Sequence, residues 1–476
     1  MTETTIRPAI AETSVQELRS DLGGPLITPE DPRYDDARSS WNAMVDKRPA
    51  LIAQCLDTAD VRTALAFARR DGLELGVTCG RHSVTGQGVP DGGLLIDLRR
   101  MNAVRIDPEA RLAYVAGGAL LGDLDRAAEA HGLATTAGNV SHTGVGGLTL
   151  GGGVGWLARQ LGLACDNVIA FEIVTADGQV LTASDTENPD LAWGLRGGGG
   201  NFGVVTEFVF RLHPIDHRAL SVDLFFEESA APALLRSLRD LARDAPGPAT
   251  YTAWVGTAPE WPFLPKELHG SRLSNVGVVW VGDPEDGRRL IPALRDVAPP
   301  VAELIEEMSY VGLQTSGDES NRHGMRRYYK ERYLGDLTDA AIEALVARGG
   351  PVAEGELVPN GSLLACGGAI GQVGVGDTAF SHRGAAFEFL TMASWENPAE
   401  DEMRMSACRR FAAAMEPFSI GSYVNTLSDD PGISRAYIPS TLERLTALKD
   451  RYDPDNVFHF NHNIPPSGAL NRGGVT

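Results

Sequence analysis

Two periods of hydrophobic residues run along the first 214 residues of the chain and predict a mixture of helices and strands. Between residues 61 and 68, apolar side chains recur three or four positions apart after Asp57 or Thr58, the spacing of a capped amphipathic helix. Elsewhere apolar and polar residues alternate, or short apolar runs stand between turn residues, as is typical of strands. Helices are predicted at 61–68, 122–131 and 190–196, the last after an Asn188-Pro189 cap, strands at 73–77, 94–98 and 204–212, and hairpins at 104–115 and 169–183.

The pattern changes after Pro214, where the density of glycine falls and longer polar helices separate apolar strands. Strands are predicted at 251–255, 276–281, 362–370 and 387–393, and an amphipathic helix at 441–452. Residues 322–333 form a basic and aromatic island. Such a run is typical of a solvated helix face, and the alternative is that it lines the entrance for an aromatic or enolate-bearing substrate. The change in pattern predicts a second, inserted domain.

Length and charge narrow the class of protein. The 476 residues are too many for one ordinary core, so we expect two domains or one domain split by an insertion. Lys and Arg total 42 against 63 Asp and Glu, and the net charge of −21 argues against nucleic acid and membrane partners. We expect neither a targeting segment nor a membrane span. The five cysteines lie far apart, so we expect a cytoplasmic protein without disulfides or a zinc site.

Three glycine-rich runs, at 76–93, 138–155 and 197–203, point to a bound ligand. Glycine lets backbone amides approach a ligand closely, so a phosphate or a flat ring is the expected guest. The Rossmann fingerprint Gly-x-Gly-x-x-Gly fails at Gly144, and no predicted strand directly precedes that run. Tight loops alone would explain any one run, but three runs that bracket strands favour the binding of a dinucleotide.

Short motifs occur in a fixed order between Pro29 and Pro466: Gly80-Arg81-His82-Ser83, then residues 143–147 with 151–153, 162–167, 174–178, 196–205 and 452–456. Together they resemble the berberine bridge enzyme-like flavoproteins, which have the vanillyl-alcohol-oxidase type FAD-binding fold. Within that family the chain looks closest to bacterial enzymes of secondary metabolism, including the flavin oxygenase of enterocin biosynthesis. The resemblance implies an α+β fold: a PCMH-type FAD-binding domain of two α/β subdomains at 29–214, an inserted substrate domain of antiparallel sheet and helices at 215–440, and a returning segment at 441–468.

The resemblance also implies that FAD is bound covalently. His82 matches the family histidine that is joined to the 8α-methyl carbon of the flavin, and the alternative is a histidine that hydrogen-bonds within a loop. Many relatives have a second tether, a cysteine, but Val140 stands at that position and has no nucleophile, so a single tether is expected. Cys165 is interpreted as a small buried hydrophobe. Arg81 either places its charge near the cofactor or reaches solvent.

Further positions in or beside the matched motifs are expected to contact FAD. They are Cys79, Gly80, Arg81, Ser83, Gly86, Gln87, Gly138, Val140, Thr143, Gly144, Gly146, Gly147, Gly152, Gly153, Asn167, Gly203, Val205, Tyr452, Asn461 and Asn463. No metal site is expected. His459 and His462 are spaced like metal ligands, but they lie in the segment that closes the flavin domain.

Four residues are candidates for the chemistry at the flavin. Tyr423 matches a family tyrosine that often serves as base or orients the substrate, with core packing as the alternative, and Asn425 could contact the flavin or order the site. Trp156 follows the glycine run where relatives place aromatic residues at the substrate face, and a structural role is the alternative. Glu388 is a carboxylate in an apolar strand, either a tuned base or a residue that alternation turns to solvent. Ser362 stands where the enterocin-type enzyme uses a carboxylate, which weakens any transfer of that mechanism.

The resemblance implies an FAD-linked oxidase that removes a hydride from a small alcohol or C–H substrate, with flavin N5 as acceptor. Molecular oxygen is the expected second substrate, with hydrogen peroxide as its product. We expect a role in secondary metabolism, an aromatic or polyketide substrate, and a monomer or homodimer. Two alternatives stay open: oxygen transfer of the enterocin type, and a flavin-retaining binding protein without turnover.

Overall fold

The computed structural model describes residues 10–350, 356–429 and 432–470, and the strands of these segments form four sheets. In chain order the strands are β1 (Leu26–Ile27), β2 (Leu51–Gln54), β3 (Leu75–Thr78), β4 (Leu94–Asp97), β5 (Val104–Asp107), β6 (Leu112–Ala116), β7 (Leu133–Ala134), β8 (Val168–Thr175), β9 (Val180–Ser184), β10 (Gly203–Arg211), β11 (His213–Pro214), β12 (Arg218–Glu227), β13 (Ala249–Thr257), β14 (Arg272–Val281), β15 (Ala302–Ser309), β16 (Arg326–Leu334), β17 (Gly361–Ala365), β18 (Phe387–Trp395) and β19 (Ser419–Gly421).

Helices connect and cover these strands. They are α1 (Glu12–Asp21), α2 (Tyr34–Arg38), α3 (Thr58–Arg70), α4 (Leu121–Glu129), α5 (Val145–Leu150), α6 (Ala158–Leu161), α7 (Pro189–Leu195), α8 (Ala231–Arg243), α9 (Pro284–Arg288), α10 (Ile291–Arg295), α11 (Tyr310–Thr315), α12 (Asp339–Ala347), α13 (Ala369–Gln372), α14 (Asp401–Met415), α15 (Pro439–Tyr452) and α16 (Ser467–Leu470). Within the described segments, every helix falls short of the length and apolarity that crossing a membrane requires.

Two sheets carry the glycine-rich loops. The first has the order β1-β2-β4-β3, with β2 and β3 parallel to β4, and α3 packs on it through the predicted apolar stripe. The Asp57 side chain caps α3 by accepting a hydrogen bond from the Asp60 N–H at 3.0 Å. The second sheet, β5-β6-β10-β8-β9, contains both predicted hairpins, β5/β6 and β8/β9. Apolar residues of both sheets meet in one core, which fixes the loops between them.

The largest sheet is antiparallel and has the order β15-β12-β14-β13-β17-β18-β16-β19. One face carries the apolar residues of alternate positions, such as Leu220, Val222 and Phe389, and packs against α8, α12 and α14. Because strand side chains alternate, the other face carries the intervening residues. Those residues include the polar groups of the cavity described below. The mixture of parallel and antiparallel sheets with helices confirms the predicted α+β class.

Residues 326–333 of the basic and aromatic island belong to a buried strand, so the prediction of a solvated helix face is wrong. β16 lies between β18 and β19, and the Lys330 and Arg332 residues are each 5 % exposed. Lys330 pairs with Asp429 at 2.5 Å and Arg332 with Glu416 at 2.7 Å, and such pairing makes a buried cation tolerable. The partners lie far along the chain, so the local pattern contains no sign of them.

Two smaller predictions also differ from the structure. The strand predicted at 362–370 ends at Ala365, because Gly367 and Gly368 take positive φ angles of +86° and +58° and turn the chain into α13. Asn188 does not cap α7 through its side chain. It lies in the left-handed region at φ +46°, and its Nδ2 donates to the Thr182 carbonyl at 2.8 Å instead.

Two buried ion pairs join segments that are distant in sequence. Arg383 contacts Asp166 at 2.5 Å, with side chains 1 % and 7 % exposed, and so ties the segment after α13 to the turn before β8. Lys449 contacts Asp453 at 2.7 Å, with neither side chain exposed. Lys449 Nζ also donates to the carbonyls of Asn201 and Phe458, both at 2.9 Å. The C-terminal segment is therefore fastened to the third glycine run.

Candidate active site

A cavity of about 770 Å³ lies between the glycine-rich loops and the polar face of the large sheet. This volume is within the usual range of cofactor and ligand pockets. Most of the predicted site positions line it, namely His82, Cys79, Gly80, Arg81, Ser83, Gly86, Gln87, Gly138, Val140, Thr143, Gly144, Gly146, Gly147, Gly203, Val205, Asn461, Trp156, Glu388, Tyr423 and Asn425.

Five predicted cofactor contacts are not part of this lining: Gly152, Gly153, Asn167, Tyr452 and Asn463. The Asn167 amide serves a structural role, since it donates to the Leu163 carbonyl at 2.9 Å and its Oδ1 contacts His213 at 2.8 Å. Gly153 lies directly behind the wall, where its N–H donates to the Tyr423 hydroxyl at 2.9 Å. A direct contact between these five positions and FAD stays a prediction.

The wall of the cavity fits a flavin nucleotide. No heavy atom lies within 4 Å of a Cβ placed on Gly147 or on Gly200, so any side chain at these positions would occupy the space of a ligand. The Oδ1 atoms of Asn139 and Asn461 are buried, line the cavity and lack a hydrogen-bond partner. Buried acceptors of this kind are normally satisfied by a ligand or water. The N–H and O–H groups of FAD are donors of the type that these acceptors need.

His82 lies in the cavity wall between aromatic and polar neighbours. Its ring stacks on Trp41 with centroids 4.8 Å apart, its Nε2 lies 2.7 Å from His142 Nδ1, and its Nδ1 lies 3.3 Å from Thr143 Oγ1. Burial, and secondarily the nearby His142 and His323, lower the pKa of His82 well below its usual value. The imidazole is therefore neutral near pH 7, which is the form that can act as a nucleophile.

His142 and His323 were not predicted from the sequence. One ring nitrogen of each, together with one of His82, lies within 4.8 Å of the other two. Burial lowers the pKa of His323 to about 4. Three imidazoles at this distance also form a donor set that divalent metals use, so the prediction of no metal site stays a prediction. The signal that could have found His142 is its position beside Thr143, at the start of the second glycine run.

The other possible tethers lack reactivity. Val140 lines the cavity and has no nucleophile. Burial raises the pKa of the Cys79 thiol to about 11, and its Sγ lies 3.4 Å from the Ala119 carbonyl, so this residue stays a protonated thiol at neutral pH. Cys165 is fully buried outside the lining, as expected. Arg81 lines the cavity, but its guanidinium donates to the backbone carbonyl and Oγ of Ser39, at 3.0 and 2.7 Å.

Tyr423 is held at the cavity wall by two donors to its oxygen. The Gly153 N–H lies 2.9 Å from the phenolic oxygen, and the Asn425 amide lies 2.8 Å from it on the other side. Asn425 also donates to the Leu148 carbonyl at 3.0 Å, which fixes its own position. Burial raises the pKa of Tyr423 above its usual value. Because the oxygen already accepts two hydrogen bonds, the hydroxyl is arranged to donate its hydrogen.

Glu388 and Glu331 form a buried carboxyl pair behind the tyrosine. Burial raises the pKa of both, and the charge of Glu388 raises that of Glu331 further. Glu331 accepts a hydrogen bond from the Tyr423 N–H at 2.6 Å and so anchors the backbone of that residue. Glu388 lines the cavity, so the alternative that alternation turns it to solvent is wrong. Glu388 on β18 is paired directly with Tyr333 on β16.

Several residues of the cavity were missed by the sequence reasoning. They are Trp41, His142, Asp223, Thr252, Trp254, Asn275, Tyr329 and Leu390, and all but His142 are part of the lining. Most of them come from different strands of the large sheet. Their proximity depends on strand register, which an isolated sequence does not contain. Trp156 and Ser362 also line the cavity, which agrees with the functional alternative for the tryptophan.

Comparison with family models gives two matches. Residues 49–184 match the model described as FAD binding domain, and residues 422–465 match the model described as berberine and berberine like. The first range contains His82 and the second glycine run. The second range contains Tyr423, Asn425 and the Lys449–Asp453 pair.

Relatives of known name extend over nearly the whole chain. The (R)-6-hydroxynicotine oxidase of Paenarthrobacter nicotinovorans is 31% identical, and the alignment covers 94% of this chain and 98% of the oxidase. An uncharacterized FAD-linked oxidoreductase of Bacillus subtilis, YgaK, is 30% identical over 94% of this chain and 98% of its own. The crystal structure of 6-hydroxy-D-nicotine oxidase from Arthrobacter nicotinovorans superposes with a TM-score of 0.82, at 30% identity, over 94% of this chain and 98% of that one.

Proposed function

The chain belongs to the berberine-bridge-enzyme-like FAD-linked oxidoreductases, and from that premise we propose that it is an oxidase that holds FAD through His82 and uses molecular oxygen. The proposed reaction removes a hydride and a proton from a small organic molecule of secondary metabolism. Oxygen takes up the two electrons and two protons and leaves as hydrogen peroxide. A relative named as an oxidase of hydroxynicotine, a small organic molecule, supports this proposal.

One observation carries the proposal. A single cavity joins the neutral imidazole of His82 and the open glycine positions to the hydroxyl of Tyr423 and the carboxyl of Glu388. The first two features suit a flavin, and the last two suit a substrate that gives up a proton. A binding protein without turnover would have no need of a buried carboxyl and a donor-held tyrosine at the same wall.

The residues at this wall have separate proposed roles. FAD, when bound, supplies the acceptor for the hydride at N5. Glu388 accepts the proton of the substrate, since its raised pKa brings it closer to that of an effective general base near neutral pH. Tyr423 donates a hydrogen bond to the reacting oxygen or nitrogen of the substrate, because its own oxygen is held by two donors. Trp156 and Asn425 position the substrate and the Tyr423 ring.

The proposed attachment is a single bond through His82. The supports are the neutral imidazole, its place in the cavity wall, and the absence of a reactive alternative at Val140, Cys79 and Cys165. Stacking on Trp41 holds the ring in one plane, and His142 holds Nε2 at 2.7 Å, so Nδ1, with its longer 3.3 Å contact to Thr143, is the nitrogen proposed to form the bond. A ring held in this way loses little further freedom when the bond forms.

The proposal includes the organisation of the chain. We propose a flavin domain at 29–214, a substrate domain at 215–440 and a returning segment at 441–468. The Lys449–Asp453 cluster supports the last boundary, since it joins that segment to the third glycine run. A cytoplasmic location and a monomer or homodimer complete the proposal.

The test of oxidase activity uses anaerobic and aerobic assays side by side. A panel of hydroxylated aromatics, polyketides, amines and sugars is mixed with the purified enzyme without oxygen, and bleaching of the flavin absorbance identifies a reducing substrate. With oxygen, the proposal predicts one hydrogen peroxide per substrate oxidised. Incorporation of labelled oxygen into the product without peroxide release would instead identify an oxygenase.

A further inference from the structure

Two rows of residues on the polar face of the large sheet contribute side chains to the wall of the cavity. Residues directly paired on neighbouring strands lie on the same face of a sheet. One row consists of Asp223, Gly277, Thr252, Leu364, Glu388 and Tyr333. The adjacent row consists of Phe225, Asn275, Trp254, Ser362, Leu390 and Glu331. The rows therefore run from Asp223 at one end of the cavity wall to the Glu388 and Tyr333 pair at the other.

A polar notch lies at the Asp223 end of the rows. Gly277 stands between Asp223 and Thr252, and a Cβ at this position would lie 2.4 Å from the Val222 carbonyl oxygen and 3.0 Å from both Asp223 Oδ1 and Thr252 Oγ1, so the strands leave no room for a side chain here. Asn275 donates to Asp223 Oδ1 at 3.1 Å and so fixes the carboxylate. Asp223, Thr252 and Asn275 all line the cavity. With no side chain between them, the oxygens of Asp223 and Thr252 face the same end of the cavity, where one donor group of a ligand can reach both.

The charges around the notch favour a cation. The two rows contain three carboxyl groups and no lysine or arginine, because Lys330 and Arg332 of β16 point to the opposite face. Among the described residues that line the cavity, Arg81 is the one arginine, with no lysine, and it lies beside His82. Burial, and secondarily Glu306, raise the pKa of Asp223, so a bound cation would relieve a real electrostatic cost.

The notch is separate from the proposed reaction centre. Asp223 on β12 is four strands away from Glu388 on β18, and neighbouring strands lie about 4.8 Å apart, so roughly 19 Å separates the two backbone positions. Trp254 projects between them from the adjacent row and lines the cavity. Trp156, on the side of the glycine loops, also lines it, and its Nε1 lacks a partner. An elongated substrate could contact these two indoles along its length.

We propose that the notch of Asp223, Thr252 and Asn275 binds a protonated amine, and that the substrate is an elongated amine whose cationic end lies away from the group that is oxidised. This inference rests on the proposed function, since it places the substrate across the same cavity. Asp223 and Thr252 accept hydrogen bonds from the ammonium group. Asn275 holds the carboxylate in the orientation that the ammonium group meets. The acidic surface of the protein, with a net charge of −21, also favours the approach of a cation.

The test measures binding of three matched probes to the flavin-loaded enzyme at pH 8. The probes are 4-phenylbutylamine, 4-phenylbutan-1-ol and 4-phenylbutyrate, which differ only in the terminal group. Calorimetric titration is expected to give a Kd for the amine at least tenfold lower than for the alcohol, and weaker binding still for the acid. Asp223→Asn is expected to remove this tenfold preference. Thr252→Val is expected to weaken the binding of the amine in the same direction, because it removes the second acceptor without a change of charge.

Glu303→Gln is the matched control. Glu303 lies on the neighbouring strand opposite Leu224, so it is on the other face of the sheet, and its substitution removes the same unit of charge. Its pair with Arg295 is partly exposed, with side chains 32% and 44% exposed, and its loss is expected to leave the amine preference unchanged. Thermal melting and the flavin spectrum establish that each variant is folded and loaded.

An amine that binds no better than the alcohol to the wild type, or a preference that survives Asp223→Asn, would overturn the proposal. An equal loss in Glu303→Gln would assign the preference to net charge and would also overturn it. Binding is measured without turnover, so this result is independent of the oxidase assay. Failure to produce peroxide would defeat the proposed function and leave the amine preference a separate result.

Discussion

The buried Lys449–Asp453 pair gives a sharp prediction for stability. Lys449→Met keeps the length of the side chain but removes its charge and its three donors. Asp453 would then stay buried, with only the Val457 and Phe458 N–H groups, at 2.7 and 2.8 Å, as partners. The carbonyls of Asn201 and Phe458 would each lose a hydrogen bond of 2.9 Å. Breaking a buried pair from one side costs about 3–5 kcal/mol, so we expect a loss of that size in the free energy of unfolding.

The matched control lies on the same helix. Arg444 pairs with Asp190 at 2.9 Å and lies 3.8 Å from the centre of the Trp193 ring, but the two charged side chains are 43% and 61% exposed, so Arg444→Ala is expected to cost about 1–2 kcal/mol. Urea unfolding followed by circular dichroism and by the visible flavin band gives the midpoint for each variant. The double substitution Lys449→Met with Asp453→Leu is expected to recover part of the loss, since both charges are then absent. If Lys449→Met unfolds within about 0.5 kcal/mol of the wild type, the buried pair does not stabilise the fold.

Three predictions concern the cavity. Glu388→Gln is expected to lower kcat at least tenfold and to remove the acidic limb of the pH profile. In the wild type this limb should lie above the ordinary glutamate pKa of 4.5, because burial raises the pKa of Glu388. The base is protonated, and activity is lost, as the pH falls through the raised value. Tyr423→Phe is expected to lower kcat/KM about tenfold or more, with kcat and KM measured separately, because the substrate loses a hydrogen-bond donor. His142→Ala is expected to lower the fraction of flavin that stays with denatured protein several-fold, because His82 Nε2 loses its partner at 2.7 Å.

Each of these predictions has a control residue in the chain. Glu396→Gln, an exposed carboxyl paired with Arg322, should leave the pH profile unchanged. Tyr437→Phe removes another buried hydroxyl, which donates to the Gly197 carbonyl at 2.8 Å, and should affect stability more than turnover. His323→Ala removes a ring that touches His82 edge-on at 5.5 Å without a hydrogen bond. Equal effects in a variant and in its control would contradict the specific role.

Local patterns predicted those elements whose causes are local. The α3 stripe, the Asp57 cap and the β8/β9 hairpin depend on residues within about a dozen positions of one another, and the structure confirms all three. The island at β16 was misread because its stability depends on Asp429 and Glu416, which lie on distant segments. A charged strand is distinguishable from a charged helix only when such partners are known.

The residues of the candidate site also fall into two groups, those that a local motif predicts and those that depend on distant strands. His82, Tyr423 and the glycine runs were found because each lies in a short, recognisable motif, and all of them contribute to the cavity. Asp223, Thr252 and Asn275 lie on three different strands, and nothing in their neighbours along the chain marks them. Their meeting depends on the pairing of β12, β14 and β13. Register of that kind is a property of the whole sheet.

Acid precipitation followed by peptide mass mapping shows whether His82 holds the flavin. The washed wild-type pellet is expected to stay yellow, and the mass of FAD is expected on the peptide that contains His82. The pellet of His82→Ala is predicted to be colourless. Flavin released wholly to the wild-type supernatant, or retained in the pellet of His82→Ala, would contradict attachment through His82.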